Sequence, residues 1–160
     1  MATAKRSYWL VKSEPTTFSF DDLLASPDRT TSWEGVRNYA ARNFLRDGMR
    51  RGDQVLFYHS STEVPAVVGI CEVAREAYPD PTQFDPQSEY HDPKSRAEEP
   101  TWLMVDLRAV EALPRPLPLT ELKGVTALAG MELLRRGSRL SVQPVTAAQF
   151  TAIRRLAGLR

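Results

Sequence analysis

Two long β-type stretches follow each other in the middle of the chain, and they restrict the fold more than any other feature. "DQVLFYHS" covers residues 53–60 and "PAVVGICEVAREAY" covers residues 65–78, with only a short connection between them. Strands joined this closely pair as an antiparallel hairpin, because a parallel pair needs a crossover of a dozen or more residues. The chain therefore lacks the regular strand–helix–strand alternation of a doubly wound sheet.

Shorter elements surround this hairpin. Further strands are predicted over residues 7–13, 30–33, 101–113 and 139–145, the last ending at Pro144. Helices are predicted over residues 19–26, which begin with a capping box of Ser19 and Asp22, and over residues 39–47. Further helices are predicted within "PLTELKG" and "GMELLRRG", and after the capping box of Thr146 and Gln149. This order predicts a single α+β domain, a mixed β-barrel with short helices at its periphery.

One segment differs from the rest in composition. Residues 79–100 contain five prolines and several acids, which is too polar for a core. We predict a long ordered loop there, and loops of this length in compact domains are often functional.

The whole chain sets broader limits. Its 160 residues suit one domain, and its formal net charge of +1 gives no global attraction to nucleic acid. Cys71 is the only cysteine, so no internal disulfide forms. No run approaches 18 apolar residues, and the N-terminus lacks a signal-peptide pattern. These features predict a monomer in the cytoplasm or on the nucleoid, without a membrane, with residues 1–6 flexible.

The stretch "TSWEGVRNYAARNFLRDG", residues 31–48, mixes residue types that packing alone does not require. Trp33 offers a ring that can stack on a flat base, although a core tryptophan is the commoner interpretation. Gly35 allows close backbone approach, and Asn38 is a good N-cap whose helix start can also meet an anion.

Basic residues form two clusters. Residues 37–51 hold five arginines against one acid, and residues 123–160 hold seven basic residues against one acid. Solvated helix faces are the default interpretation, but the clusters form a phosphate track if the fold brings them together.

Seven ordered blocks of the sequence resemble one known family. They are "YWLVKSEP", "WEGVRNYAARNFLR", "FYHS", "EAYPDPTQFDP", "YHDPKS", "WLMVDL" and "RLSVQP". Together they are similar to the EVE domain from about residue 7 to residue 157. The resemblance implies a PUA-like barrel, related to YTH and ASCH domains. It also implies binding of DNA or RNA, with a modified base, 5-methylcytosine in DNA being favoured, as the target.

The resemblance and the residue chemistry together give a candidate site. The predicted base pocket consists of Lys12, Ser13, Trp33, Gly35, Val36, Arg37, Asn38, Tyr58, Ser60, Tyr90, Asp92, Ser141 and Gln143. Trp33 is expected to stack, Tyr58 or Tyr90 to close the cage, and Ser13 and Asn38 to read the base edge. The predicted phosphate contacts are Arg42, Arg46 and Arg139. No cofactor and no metal are expected, since the histidines and the cysteine match no strong zinc spacing.

Two other functions stay open at this stage. Lys12 with Glu14 or Asp92 could serve an RNA-processing or nuclease site on an ASCH-like barrel, by analogy of fold alone. A protein–protein adaptor with an unused pocket is the third hypothesis. Cys71 lies in an apolar strand, which favours an inert buried thiol over a nucleophile.

Overall fold

A computed structural model of the protein describes residues 6–159 and orders six strands into one mixed sheet. The strands are β1 (Tyr8–Ser13), β2 (Thr30–Ser32), β3 (Gln54–His59), β4 (Ala66–Pro79), β5 (Leu103–Pro118) and β6 (Val142–Val145). Their order is β2-β5-β4-β3-β1-β6. β1 and β3 are parallel, and the other neighbours are antiparallel. The predicted β3–β4 hairpin and the α+β class are confirmed.

Short helices surround the sheet. The α-helices are α1 (Phe20–Ala25), α2 (Tyr39–Asn43), α3 (Leu119–Leu122) and α4 (Ala147–Leu156). Single helical turns lie at Pro27–Arg29, Pro81–Phe84, Thr126–Leu128 and Glu132–Leu134. The capping boxes that open α1 and α4 form as predicted, from Ser19 and Thr146. The predicted flexible segment 1–6 falls, apart from Arg6, outside the described residues.

The sheet is curved but not closed. Among the described strands, β2 and β6 are the two ends of the order and do not pair with each other. The long β4–β5 pair shifts register four times, and such bulges increase the local twist. The protein therefore has an open, strongly twisted version of the predicted barrel.

Three element boundaries differ from the sequence prediction. β5 continues past the predicted end at residue 113, because a register shift between Val67 and Gly69 accommodates the proline-rich residues 114–116. β6 begins only at Val142 and passes through Pro144, which an edge strand tolerates. The helix predicted over residues 39–47 is α2 followed by a wider π-type turn, Phe44–Gly48.

The two faces of the sheet carry different cores. The aromatic cluster includes Trp9, Phe20, Trp33, Phe57 and Leu107, and α1 and α2 contribute to it. The aliphatic cluster includes Leu10, Leu56, Ile70, Leu117, Leu128, Phe150 and Ile153, with α3, α4 and the turns before β6 packed on it. The alternation of strand side chains separates the faces, since Trp9 and Leu10 are adjacent in β1 but belong to different clusters.

A buried carboxylate fixes the start of β1 against β3. Asp53 accepts a hydrogen bond from the Trp9 Nε1–H at 3.0 Å and from the backbone N–H groups of Ser7 and Arg50 at 3.1 and 2.9 Å. A buried charge is tolerated when its oxygens are satisfied in this way. Asp53 therefore holds the aromatic cluster in register at the end of the sheet where β1 begins.

No helix within residues 6–159 is long and apolar enough to cross a membrane.

Candidate functional site

A cavity of about 540 Å³ opens beside the aromatic cluster. It is lined by Lys12, Ser13, Glu14, Thr17, Phe18, Thr31, Ser32, Trp33, Glu34, Gly35, Val36, Glu89, Tyr90 and Ser141. The sheet order separates β1 from β2 by three strands, yet both contribute to this lining, because the twisted sheet curls around it. Seven predicted pocket residues meet there: Lys12, Ser13, Trp33, Gly35, Val36, Tyr90 and Ser141.

The end of β1 and the turn after it form one wall. The Ser13 hydroxyl donates a hydrogen bond to the Phe18 carbonyl at 2.5 Å, and the Phe18 N–H donates to the Glu14 carbonyl at 2.9 Å. These bonds fold the turn back over the strand. The Lys12 N–H donates to the Ser141 carbonyl at 2.9 Å, which brings the segment before β6 to the same wall.

Trp33 forms the opposite wall and belongs to the core as well. Its ring meets Phe57 edge to face at a centroid distance of 5.5 Å, and Phe18 in the same manner at 6.4 Å. Its backbone N–H donates to the Val105 carbonyl at 2.7 Å. Only 8% of the residue is exposed, so Trp33 presents a narrow strip of ring to the cavity. Trp33 is therefore a core residue that also lines the cavity, and its stacking on a base stays a prediction.

Tyr90 closes the cavity from the long loop and rests on Gly35. A methyl group at Gly35 would lie 2.6–2.9 Å from three atoms of the Tyr90 ring, closer than carbon atoms pack. Gly35 also has a φ of +85°, a left-handed conformation that favours glycine. Glycine is thus required at this position by both its backbone conformation and the ring above it.

An arginine–aspartate pair holds the loop in place. The Arg37 guanidinium donates to the Tyr90 carbonyl from Nε at 3.0 Å and from Nη2 at 2.8 Å, and it contacts the Asp80 carboxylate at 3.2 Å. Asp80 also accepts from the Gly35 N–H at 2.8 Å and from the Thr82 N–H and hydroxyl. Burial by itself raises the pKa of Asp80, but these hydrogen bonds outweigh it and lower the pKa below its ordinary value.

Arg37 and Asp92 were both predicted in the pocket, but neither lines the cavity. Arg37 contacts the Tyr90 carbonyl rather than the cavity. Asp92 accepts a hydrogen bond from the Trp102 Nε1–H at 2.7 Å and from the Lys94 N–H at 3.0 Å. Both side chains are occupied in ordering the long loop.

Four other predicted residues also lie outside the cavity. The Asn38 side chain caps α2 by accepting from the Ala41 N–H at 3.0 Å. Tyr58 is buried in the aliphatic cluster, because strand alternation directs it to the other face. Ser60 donates its backbone N–H to Ser13. Gln143 is fully buried, and its amide donates to the Leu140 carbonyl at 2.9 Å.

The pKa values of two charged groups in the cavity, Lys12 and Glu34, are shifted toward the neutral forms. Burial lowers the pKa of Lys12, with Glu132 opposing the shift. Burial and the nearby Asp80 raise the pKa of Glu34, with Arg37 opposing the shift. The carboxylates of Glu14 and Glu89, hydroxyl groups and backbone amides complete the polar lining. The hydroxyl and amide groups suit an uncharged ligand edge that both donates and accepts.

The predicted phosphate contacts separate into two places. Arg42 and Arg46 line a second, smaller cleft together with Lys94 and Arg96. Arg139 is exposed and lines neither the cavity nor this cleft.

His59 and Cys71 are engaged away from the cavity. The His59 Nε2 accepts a hydrogen bond from the Phe20 N–H at 3.1 Å, and burial lowers the pKa of this histidine. Cys71 is buried, and burial raises the pKa of its thiol. Within residues 6–159, no group of three or more His, Cys, Asp or Glu side chains could hold a metal ion.

Several lining residues were not predicted from the sequence. They are Glu14, Thr17, Phe18, Thr31, Ser32, Glu34 and Glu89. Most of them are next to a predicted residue in the sequence, so including both neighbours of each predicted residue would find most of them. Phe18 reaches the cavity only because the turn after β1 folds back, and no sequence pattern indicates that fold.

Comparison with known proteins places this geometry in a known group. The sequence model of the EVE domain matches residues 7–156. Thymocyte nuclear protein 1 of Gallus gallus is 46% identical over an alignment 160 residues long. The alignment covers 89% of this chain and 65% of that protein. The chain thus spans about two thirds of the length of this relative.

Two solved structures are informative. The structure of human THYN1 protein in complex with 5-methylcytosine-containing DNA is 41% identical, with a TM-score of 0.91, and the match covers 96% of this chain and 99% of that one. The YTH domain of a Zygosaccharomyces rouxii protein, in complex with N6-methyladenosine RNA, has a TM-score of 0.55 at 11% identity, and the match covers 97% and 89%. At that identity the likeness shows the fold alone, and it supports the PUA-like assignment.

The comparisons also correct one prediction. The relatives are named as nuclear proteins, which contradicts the cytoplasmic or nucleoid-associated location predicted from the sequence. Charge, cysteine count and the lack of a signal pattern do not distinguish the cytoplasm from the nucleus, so composition had no means of separating the two.

Proposed function

The chain belongs to the EVE-domain family, and we propose that it binds nucleic acid by taking a modified base, with 5-methylcytosine in DNA favoured, into the cavity between β1 and Trp33. The observation that carries this proposal is the cavity itself. Its volume of about 540 Å³ is within the usual range of small-ligand sites, roughly 300–1,000 Å³. Its lining combines aromatic rings with hydroxyl and amide groups, as a base with a flat face and a polar edge requires.

Each part of the lining has a role in this proposal. Trp33 and Tyr90 contact the base, and the hydroxyl of Ser13 and the backbone around Gly35 meet its edge. A base paired in a duplex cannot reach such a cavity, so the target base leaves the stack before it binds. The DNA bound by human THYN1 protein contains 5-methylcytosine, and this supports DNA over RNA as the target.

We further propose that the chain acts by binding and not by turnover. Lys12 and Glu14 share the cavity and form the strongest enzymatic alternative. Incubating labelled RNA or DNA with the protein and several divalent metals tests it. Product formation that Lys12→Met abolishes would establish the enzyme instead.

Equilibrium binding to matched oligonucleotides tests the proposal. The set contains DNA and RNA with cytosine, 5-methylcytosine, adenine or N6-methyladenine at one position. Trp33→Leu is compared with Phe20→Leu, because both rings belong to the aromatic cluster but only Trp33 lines the cavity.

We expect the native protein and Phe20→Leu to prefer the 5-methylcytosine oligonucleotide, and Trp33→Leu to lose that preference. Stacking on an aromatic ring contributes roughly 1–3 kcal/mol per base, so the loss in affinity is about five- to 160-fold. Equal affinity of the native protein for cytosine and 5-methylcytosine, or an unchanged preference in Trp33→Leu, would refute the proposal.

A further inference from the structure

A second cleft, of about 360 Å³, lies between the segment from α2 to Gly48 and the end of the long loop. It is lined by Arg42, Arg46, Lys94, Arg96, Glu99, Pro100 and Thr101. Arg42 joins the two sides, since its Nη1 donates to the Thr101 carbonyl at 2.9 Å. The cleft is therefore built by two segments that are distant in the sequence.

The cleft carries a positive charge. Four cations line it against a single carboxylate, that of Glu99. Arg46 pairs with Asp47 at 2.8 Å, and Arg96 pairs with Glu98 at 3.7 Å, but all four of these side chains are largely exposed. Exposed pairs contribute little and exchange readily, so an incoming phosphate can replace either carboxylate.

A row of rings and guanidinium groups connects this cleft to the base cavity. The Arg37 Cζ lies 5.5 Å from the centre of the Tyr90 ring and 5.3 Å from that of Trp102. Trp102 lies 4.9 Å from Tyr39, and the Arg42 Cζ lies 5.1 Å from the Tyr39 ring. The row begins at the cavity lining and ends at the cleft lining.

Tyr39 is the exposed member of this row. It is 61% exposed, more than any other large hydrophobic side chain among residues 6–159. Bases stack on exposed rings of this kind without regard to sequence, and a neighbouring arginine adds to the attraction.

We propose that this second cleft binds backbone phosphates of the same strand that places its modified base in the cavity, and that Tyr39 stacks on a base between the two sites. The inference rests on the proposed function for the identity of the strand. It adds the path that the strand follows across the surface, from Tyr90 past Tyr39 to Arg96.

The test compares two double variants that remove the same charge. Lys94→Gln/Arg96→Gln alters the cleft and leaves Arg42, which supports Thr101, unchanged. Arg136→Gln/Arg155→Gln alters two exposed arginines that line neither site. Affinity for 5-methylcytosine and cytosine oligonucleotides is measured at several salt concentrations, together with affinity for the 5-methylcytosine nucleoside, which has no phosphate.

We expect the cleft variant to bind both oligonucleotides more weakly by the same factor, roughly tenfold. The slope of log affinity against log salt should become shallower by about 1.4–1.8, since each of the two lost phosphate contacts contributes about 0.7–0.9. Nucleoside binding and the ratio of the two oligonucleotide affinities stay as in the native protein. If the cleft variant matches the native protein, or loses no more than the control variant, the second cleft is not a phosphate site. Failure of the base proposal gives a different result, because the native protein itself would then bind the 5-methylcytosine and cytosine oligonucleotides with equal affinity.

A second comparison tests the stacking step. Tyr39→Ala is expected to weaken an intact oligonucleotide roughly tenfold, whereas Tyr39→Phe retains binding. Two further oligonucleotides each carry one abasic residue, placed directly before or directly after the modified base. For one of them, Tyr39→Ala and the native protein should bind with equal affinity. If the difference persists for both placements, no base adjacent to the target stacks on Tyr39, and this part of the proposal is wrong.

Discussion

The two faces of the sheet differ, because the same strands carry a covered aliphatic core on one side and the candidate cavity on the other. The aliphatic cluster consists mainly of leucine, isoleucine and methionine, and α3, α4 and two helical turns pack on it. The aromatic cluster is built around large rings, and short helices and the long loop cover it only in part. The candidate cavity opens where this cover is incomplete.

The difference follows from what each face has to do. Flexible aliphatic side chains fill space closely, which favours a core without cavities. Rigid rings held edge to face, as Trp33 and Phe57 are, keep the shape of a cavity wall when no ligand is present. A face that binds a flat ligand thus gives up some packing to keep a preformed surface.

The largest expected effect is on stability, and it should come from the aliphatic face alone. Leu56→Ala removes a fully buried side chain from the aliphatic cluster, and such a change lowers the free energy of unfolding by roughly 2–5 kcal/mol. Urea unfolding measures this loss. Where the variant is folded, we expect the ratio of affinities for 5-methylcytosine and cytosine DNA to be unchanged, and an altered ratio would show that the two faces are coupled.

The Arg37–Asp80 pair is expected to have the next largest effect. Arg37→Ala leaves a buried carboxylate without its cation and should cost about 3 kcal/mol, near the lower limit for breaking a buried pair because Thr82 and Gly35 still donate to Asp80. The long loop should become sensitive to proteases, and oligonucleotide affinity should fall as Tyr90 is released. Arg108→Ala, which removes an exposed ion pair with Glu72, serves as the control. Equal behaviour of the two variants would contradict the role assigned to Arg37.

Two glycines with nearly the same backbone conformation provide a closer comparison. Gly35 and Gly130 have φ angles of +85° and +86°, so an alanine at either position costs roughly 1–2 kcal/mol of backbone strain. An added methyl group meets the Tyr90 ring at Gly35 and has no neighbour within 4 Å at Gly130. We expect a larger loss in unfolding free energy in Gly35→Ala than in Gly130→Ala, because the Tyr90 ring must shift, and weaker base binding only in Gly35→Ala. Equal base binding by both variants would show that Tyr90 does not shape the cavity.

The smallest effect concerns Asn38. In the structure its side chain caps α2, so Asn38→Ser should retain stability within a few tenths of a kcal/mol, while Asn38→Ala costs about 1 kcal/mol. Serine caps a helix but cannot replace an amide at a base edge. If Asn38→Ser keeps its stability and loses the preference for 5-methylcytosine, Asn38 reads the base as the sequence first suggested, and the cavity must rearrange on binding.

Local sequence patterns were sufficient for most of the elements. The capping boxes at Ser19 and Thr146, the cap at Asn38 and the β3–β4 hairpin depend on residues close together in the chain, and all of them form. Errors occurred at prolines and at helix ends. Pro114 and Pro116 lie within β5 because a bulge in the pairing with β4 accommodates them, and pairing partners are not visible in a single strand.

The sequence by itself determined the family, the strand and helix order, and the stretch from Trp33 to Asn38 as the place to examine. Only the tertiary structure decided which of those residues face the cavity. Arg37 and Asp80 are 43 residues apart, and Arg42 and Thr101 are 59 residues apart, so no local pattern indicates that they meet. The side to which a residue such as Tyr58 points depends on strand register and on the curl of the sheet. Contacts across the whole fold fix both of these. The resemblance therefore indicated a candidate site, and the structure shows which of its residues line the cavity.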